Sequence, residues 1–191
     1  MRTTASGQSA LLLLDIIEIL NERQISYAII GAFAASFYGF IRASLDADAV
    51  ISVQALGDAR KLAEDLRIKG FIVDHRTGDL DDPIQGVINI QDRFYNKVDL
   101  LMGIQGMTKE LLNRSEKAKF MDSSIQIVGP EDFIALKIFA GSPKDIQDIV
   151  GVLNVSGKNI DLNLLKELTS QYGPDCVKKL ETLLKDHPIK Q

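Results

Sequence analysis

The spacing of apolar residues predicts an alternation of helices and strands over the first two thirds of the chain. Leucine and isoleucine recur at helical spacing over Ser9–Glu22, with acidic residues on the other side, which predicts an amphipathic helix. Residues 26–30 form a short apolar run that ends at Gly31, which predicts a buried strand. The small apolar residues 32–38 are compatible with a short helix that begins at this glycine.

The same alternation continues further along the chain. We predict a strand over residues 46–53, a helix over 55–69, a short strand over 71–73, and a β-hairpin formed by 87–90 and 95–102. The intervening residues 75–83 are polar and rich in Asp and Gly, so we expect a loop there.

The final third of the chain is predominantly helical. After a short strand over residues 125–128, the pattern predicts helices over 131–140, 143–153, 162–172 and 175–185. We therefore expect a boundary near residue 129, between an α/β core (1–128) and a C-terminal helical region (129–191). Because the linker is short, we expect the helical region to pack on the core.

Composition and charge are those of an ordinary globular protein. The chain has 191 residues, of which 46% are hydrophobic and 25% are charged, enough to build a sizeable core. The net charge of −4 gives no sign that the whole chain binds nucleic acid. Lysines more often lie on solvated helix faces than in a binding patch. Five of them are nevertheless candidates for a local basic patch: Lys117, Lys119, Lys178, Lys179 and Lys185.

Cysteine usage and the length of apolar runs bear on location. A lone cysteine, Cys176, excludes an intramolecular disulfide and suits a reducing compartment. No apolar run approaches the roughly 20 residues of a membrane span, and the N-terminus has no signal-peptide pattern, so we expect a cytoplasmic protein with no membrane partner. The two histidines do not stand at metal-ligand spacing, which disfavours zinc.

Three aspartates carry the strongest chemical signal. Asp46 and Asp48 lie two apart in an apolar run, so a strand projects both from one face. Asp99 is flanked by apolar residues in a second predicted strand. Three carboxylates facing one point suit Mg²⁺ bound against a nucleoside triphosphate. The alternative is a solvated face of an edge strand, but Ala47 and Ala49 already supply a buried face.

The turn after the first strand is a candidate phosphate site. Gly31 followed by small residues allows close approach of the backbone to a phosphate, and the N–H of Ala32 remains available at the helix start. A plain tight turn is the alternative. Ser36 lies about one turn into the helix and either faces phosphates or, as is commoner, bonds a backbone carbonyl.

Charged residues outside the strands complete the candidate site. Arg42 lies in the loop just before the acids. Three roles are open to its side chain: contact with a triphosphate, an ion pair with Asp46 or Asp48, or exposure to solvent. Lys137 lies in an apolar helical stretch, where a lysine either extends to solvent or faces a negative group. Asp145 and Asp148 share one helix face, for which a solvated helix start is the default interpretation.

These residues together resemble a known group of enzymes. The order strand, Gly-small, helix, Asp-x-Asp, strand with Asp is similar to that of the DNA-polymerase-β-like nucleotidyltransferase superfamily. Residues 28–35 (Ala-Ile-Ile-Gly-Ala-Phe-Ala-Ala) and the Arg-Ala-Ser-Leu-Asp-Ala-Asp run of residues 42–48 resemble the branch of AbiEii-type abortive-infection toxins and their relatives. Pro-Glu-Asp at 130–132, then Lys137 and Lys-Asp-x-x-Asp at 144–148, match the tail of that pattern. The resemblance spans residues 25–153.

The resemblance implies an α+β fold, a mixed nucleotidyltransferase sheet flanked by helices, with Mg²⁺ and a nucleoside triphosphate bound. Asp46, Asp48 and Asp99 become catalytic metal ligands, with Asp99 also the candidate base for the acceptor hydroxyl. The nucleotide-binding residues become Gly31, Ala32, Ser36, Arg42, Lys137 and Asp145.

Three positions depart from the family pattern. Ala32 replaces Gly or Ser and removes a hydroxyl contact, while Ser44 replaces Thr, which is a mild change. Ser142 stands where relatives often carry a basic residue, and the absence of that residue weakens the expected binding of phosphate. All three acids are retained.

Two functions from different classes follow. The first is a metal-dependent nucleotidyltransferase that moves a nucleoside monophosphate onto a hydroxyl of RNA (such as a tRNA 3′ end), protein or a small molecule, with a toxin role as one form. The second is a catalytically weak nucleotide- or partner-binding module, with an antitoxin protein as a candidate partner.

Overall fold

A computed structural model describes residues 1–52, 56–79 and 81–189 of the chain. Its helices are α1 (Ser9–Glu22), α2 (Gly31–Phe37), α3 (Leu56–Ile68), α4 (Glu110–Asn113), α5 (Pro130–Ala140), α6 (Pro143–Ser156), α7 (Leu162–Ser170) and α8 (Pro174–Asp186), with a 3₁₀ turn at Gly157–Asn159. Its strands are β1 (Tyr27–Ile30), β2 (Asp46–Ile51), β3 (Ile72–Thr77), β4 (Ile84–Gln91), β5 (Lys97–Ile104), β6 (Glu116–Phe120) and β7 (Ser123–Ile127).

The strands form one mixed sheet in the order β3-β4-β5-β2-β1-β7-β6. The pair β2 and β5 is parallel, as is the pair β1 and β7, whereas β1–β2, β3–β4 and β4–β5 are antiparallel. Together with the flanking helices this is the α+β architecture, a mixed nucleotidyltransferase-type sheet, that the resemblance implies.

The described chain divides into two compact units. The first comprises Met1–Gly31, Ser44–Gln105 and Lys117–Ile127, and it holds α1, α3 and the sheet. In this unit α1 contacts β2 and β5, and α3 contacts β3. Alternate residues of β2, β4 and β5 are buried, which leaves the other face of these strands half-exposed.

The second unit comprises Ala32–Ala43, Gly106–Glu116 and the described residues from Val128 onward. Helix α5 is central to it and contacts α6, α7 and α8. The Tyr38 hydroxyl donates to the Val128 carbonyl at 2.7 Å. The Arg114 guanidinium donates two hydrogen bonds to Asp132, which tie the 106–116 segment to α5. The predicted boundary at residue 129 stays a prediction.

Helices α5 and α6 are separated by a tightly specified turn within the second unit. Gly141 has a φ of +68° at the end of α5, a left-handed conformation that favours glycine. Ser142 then starts α6 through a capping box, in which its hydroxyl accepts from the Asp145 N–H while the Asp145 carboxylate accepts from the Ser142 N–H. This turn places the side chains of Lys137 and Asp145 at the same end of the two helices.

Most elements lie close to where the apolar pattern predicts them, and two regions differ. The predicted loop over residues 75–83 is wrong at its start, because β3 continues to Thr77 and pairs with β4 as far as Gly86. Its polar residues are compatible with a strand, since one face of β3 is exposed. The short α4 and β6 were not predicted; β6 is a charged edge strand without a clear apolar alternation.

In the described ranges, none of the helices is both long enough and apolar enough to span a bilayer.

Candidate active site

The parallel pairing of β2 and β5 brings the three predicted acids together. Asp48 lies directly opposite Asp99 in the register, and Asp46 lies two residues earlier on the same face of β2. One carboxylate oxygen from each residue falls within 4.8 Å of the other two, and all three side chains are half-buried. The sheet therefore builds a three-carboxylate cluster inside the first unit.

Gly31 is packed against this cluster. Its φ is +65°, and a Cβ built on it would lie 3.0 Å from the carboxyl carbon of Asp48 and closer still to the carboxylate oxygen Oδ2. The glycine at the end of β1 is therefore required by the close approach of Asp48 as well as by its backbone conformation. This is a more specific role than that of a plain tight turn.

Asp46 and Asp99 each accept a hydrogen bond from a neighbouring side chain. The Ser44 hydroxyl donates to Asp46 Oδ1 at 2.5 Å, and the Asn89 amide donates to Asp99 Oδ1 at 2.8 Å. The Arg76 guanidinium in turn donates to Asn89 Oδ1 at 3.0 and 3.2 Å. Groups of this kind orient carboxylates that bind metal ions.

The donor set fits a hard divalent cation. Oxygen ligands from several carboxylates are what Mg²⁺ and Mn²⁺ prefer, whereas zinc sites use mainly His and Cys. Without a cation, carboxylate charges no more than 4.8 Å apart repel by about 3.5 kcal/mol or more per pair at an effective dielectric constant of ~20. Asp46, Asp48 and Asp99 are the residues that would hold the ion.

A second charged cluster lies inside the second unit. Lys137 Nζ lies 2.6 Å from Asp145 Oδ1 and 2.9 Å from Asp148 Oδ2, and Arg42 donates to both oxygens of Asp148 at 2.5 and 3.0 Å. The side chain of Asp148 is fully buried (0% exposed), and those of Arg42 and Lys137 are 17% and 14% exposed. Two cations and two anions therefore neutralise one another.

The cluster keeps both carboxylates ionised. Burial alone would raise the pKa of Asp148, but the hydrogen bonds from Arg42 and Lys137 outweigh burial and hold this pKa below its ordinary value of 3.8. Burial would also raise the pKa of Asp145. Hydrogen bonds from Lys137 and Ser142 outweigh this effect, so the pKa of Asp145 lies below its ordinary value.

These contacts decide between interpretations left open by the sequence. Arg42 is not solvated, because it makes a bidentate pair with Asp148. Lys137 faces negative groups and does not extend to solvent. The default interpretation of Asp148 as part of a solvated helix start is wrong, since it is fully buried.

The predicted site residues thus fall into two groups, one in each unit. The first unit contains the three acids and Gly31, while the second contains Ala32, Ser36, Arg42, Lys137 and Asp145. The Ser36 hydroxyl donates to the Ala32 carbonyl at 2.9 Å, which is the commoner of its two predicted roles. The nucleotide-binding role of the second group stays a prediction.

Two residues next to the acids were not predicted from the sequence. Asn89 is the polar residue between the buried Ile88 and Ile90 of β4, and it lies opposite Asp99. Arg76 lies in the segment 75–83, for which the polar composition predicts a loop. The alternation of residues 87–90 was visible, but the pairing of β4 with β5 in this register is needed to place Asn89 beside Asp99.

Comparisons with known proteins agree with this chemistry. The family model described as "Nucleotidyl transferase of unknown function (DUF2204)" matches residues 74–185, more than half of the chain. No curated protein matches the sequence.

Several solved structures share the fold at low sequence identity. An antigenic nucleotidyltransferase-like protein from Paracoccidioides brasiliensis is 19% identical, with a TM-score of 0.55, over 99% of this chain and 97% of that one. The antibiotic-resistance factor ANT(2'')-Ia is 15% identical, with a TM-score of 0.58, over 93% and 95%. The lincosamide antibiotic adenylyltransferase LnuA, bound to lincomycin, is 12% identical, with a TM-score of 0.53, over 81% and 100%.

The first prediction concerns Gly31. Gly31→Ala adds a Cβ where Asp48 lies and forces alanine into a left-handed conformation, so we expect the free energy of unfolding to fall by about 2–4 kcal/mol. Gly7→Ala is the control, because Gly7 has a φ of +78° with nothing within 4 Å of the added Cβ. Urea unfolding that shows equal losses for the two variants would contradict the contact between Gly31 and Asp48.

The second prediction concerns Asp148. Asp148→Asn removes one charge from a buried, neutral cluster and leaves Arg42 and Lys137 undercompensated, so we expect a loss of about 3–5 kcal/mol at pH 7 by urea unfolding. Asp175→Asn removes one partner of an exposed pair with Lys178 and should cost less than about 1 kcal/mol.

The pH dependence supplies the check on this second prediction. Because the folded pKa of Asp148 lies below 3.8, the stability it contributes is present above that value and is lost as the pH falls through the lower, folded pKa. The wild type should therefore lose stability more steeply than Asp148→Asn below about pH 4. Parallel pH profiles would contradict the charged pairing.

Proposed function

We propose that this chain, which belongs to the DUF2204 family of nucleotidyl transferases of unknown function, is a divalent-metal-dependent enzyme that transfers a nucleoside monophosphate from a nucleoside triphosphate to an acceptor hydroxyl. The observation that carries the proposal is the meeting of Asp46, Asp48 and Asp99 within 4.8 Å. Mg²⁺ is the proposed ion, since clustered carboxylates beside triphosphate oxygens are its usual environment.

The proposed reaction is an in-line displacement at the α-phosphorus. The acceptor oxygen forms a new bond to phosphorus, the bond to the bridging oxygen of pyrophosphate breaks, and the acceptor proton passes to Asp99. The bound cation would neutralise charge on the phosphate oxygens. Asp46 and Asp48 would hold that cation, and the absence of a side chain at Gly31 leaves room for the Asp48 carboxylate in the cluster. Arg42, Lys137 and Asp145 remain proposed nucleotide-binding residues.

We further propose a small molecule as the acceptor. The chain carries a net charge of −4, which disfavours association with RNA phosphates. A cavity of about 760 Å³ in the first unit is lined by Asp79, Asp81, Asp82, Gln85 and Gln105, among others. Such a lining suits an acceptor that carries amino and hydroxyl groups.

The position of this cavity relative to the acids supports the same proposal. Gly103 lines the cavity and lies four residues after Asp99 on β5, which corresponds to ~13 Å along the strand. That span suits a molecule of several rings. Structures of fold relatives are described as lincomycin-bound and as a complex with adenylyl-2''-tobramycin.

The third prediction tests the metal site. Asp48→Asn should reduce nucleotidyl transfer by about 100-fold or more, because the negative charge on the phosphate oxygens would no longer be stabilised by a bound cation. Millimolar Mg²⁺ should raise the melting temperature of the wild type, since a ligand that binds only the folded state stabilises it, and should not raise that of Asp48→Asn.

Asp122→Asn is the matched control for the third prediction. Asp122 lies in the same unit, but its side chain is exposed in the turn between β6 and β7 and outside the cluster. It should retain activity and the Mg²⁺ response. A fully active Asp48→Asn variant would contradict the metal assignment, and an unchanged response to nucleotide in that variant would favour the binding-module alternative.

The fourth prediction identifies the acceptor class. Each of the four α-labelled triphosphates is incubated with Mg²⁺ and a cell extract, which is then separated into RNA, protein and small-molecule fractions. We expect label in the small-molecule fraction with wild type and none with Asp46→Ala. Label in RNA or protein would overturn the proposed acceptor, would leave the nucleotidyl transfer intact, and would favour a toxin role over a role in small-molecule modification.

A further inference from the structure

Asp99 is held by a chain of side chains that extends outward across the sheet. It lies opposite Asn89 in the antiparallel β4–β5 pair, where facing side chains are within direct contact. Asn89 Nδ2 donates to Asp99 Oδ1 at 2.8 Å. Arg76, on β3, donates to Asn89 Oδ1 from both Nε and Nη2.

The chemistry of the two outer groups fixes the orientation of the central amide. A guanidinium can only donate hydrogen bonds, and an ionised carboxylate can only accept them. The Asn89 oxygen therefore faces Arg76 and its NH₂ group faces Asp99, and the reverse orientation would place like groups against each other at both ends. Asparagine is suited to this position because it carries a donor and an acceptor on one short, planar group.

We propose that Asn89 is a positioning residue for Asp99 and that Arg76 fixes the orientation of the Asn89 amide. The proposal rests on the proposed function of the acid cluster. With one oxygen held by Asn89, the plane of the Asp99 carboxylate is set before a cation binds. The rotational freedom of Asp99 and the hydration of that oxygen are therefore already lost on folding. Binding of a cation by Asp99 together with Asp48 and Asp46 does not have to remove them.

The test uses Mn²⁺ as the probe and the full chain as the sample. Titration of Mn²⁺, followed by electron paramagnetic resonance of the free ion, reports metal affinity without any need for the acceptor. Asn89→Leu should raise the dissociation constant for Mn²⁺ by about 10- to 100-fold, as is usual when a residue that orients a metal ligand is removed. Gln91→Leu, two residues further along on the same face of β4, should leave it unchanged.

Arg76 provides a sharper test because charge and positioning predict opposite results. Removal of a cation near an acidic cluster should tighten Mn²⁺ binding if only its charge matters. Lys97→Leu, which removes the exposed cation opposite Asp46, should behave in that way. Arg76→Leu should instead weaken Mn²⁺ binding, because the Asn89 amide loses the partner that orients it.

The double variant shows whether the two residues act as one chain. If Arg76 acts only through Asn89, the variant Arg76→Leu/Asn89→Leu should bind Mn²⁺ no more weakly than Asn89→Leu alone. Additive losses would overturn the positioning chain. Arg76 is 67% exposed, so Arg76→Leu keeps the proposal testable even where Asn89→Leu is too unstable to titrate.

The outcomes separate this proposal from the proposed function. Wild-type affinity in both Asn89→Leu and Arg76→Leu, together with weakened binding in Asp99→Asn, would overturn the positioning role alone. Absence of Mn²⁺ binding by the wild type would overturn the metal assignment and this inference with it.

Discussion

The rest of the candidate site depends on the parallel pairing of β2 with β5. This pairing sets Asp48 opposite Asp99 and forces negative charges close together on a half-buried face. The hydrophobic residues on the other face of the same strands stabilise the arrangement, because a shift of register by one residue would bury the acids and expose Ala47 and Ala49. Burial of the apolar face therefore stabilises an electrostatically unfavourable acidic face.

The neighbours of the acids are explained by the same constraint. Gly31 leaves space for the Asp48 carboxylate, while Ser44 and Asn89 donate hydrogen bonds to Asp46 and Asp99. Each of these contacts either limits the movement of a carboxylate or lowers the free energy needed to place it in the cluster. None of them neutralises its charge. The cluster therefore keeps its attraction for a cation while its geometry is set in advance by the sheet.

The sequence could predict that these three acids converge because their signal is local. The period of two in β2 places Asp46 and Asp48 on one face whatever the topology, and apolar flanks are enough to assign Asp99 to a strand. The bounds of α1 and the helix beginning at Gly31 follow from similarly local patterns. Asn89 and Arg76 could not be identified in this way. The role of Asn89 depends on the register between β4 and β5, and that of Arg76 depends on the extension of β3 to Thr77, where the pattern predicts a loop.

The cluster of Arg42, Lys137, Asp145 and Asp148 shows the other limit of sequence reasoning. An apolar helix with a single lysine indicates that the lysine needs a partner, but does not say whether the partner is a ligand or the protein itself. The structure supplies protein carboxylates, so these cations are already compensated and a triphosphate would have to compete with Asp145 and Asp148 for them. In the first unit the three carboxylates of the acid cluster converge on one point, and this geometry makes it the stronger candidate for binding a cation and for catalysis.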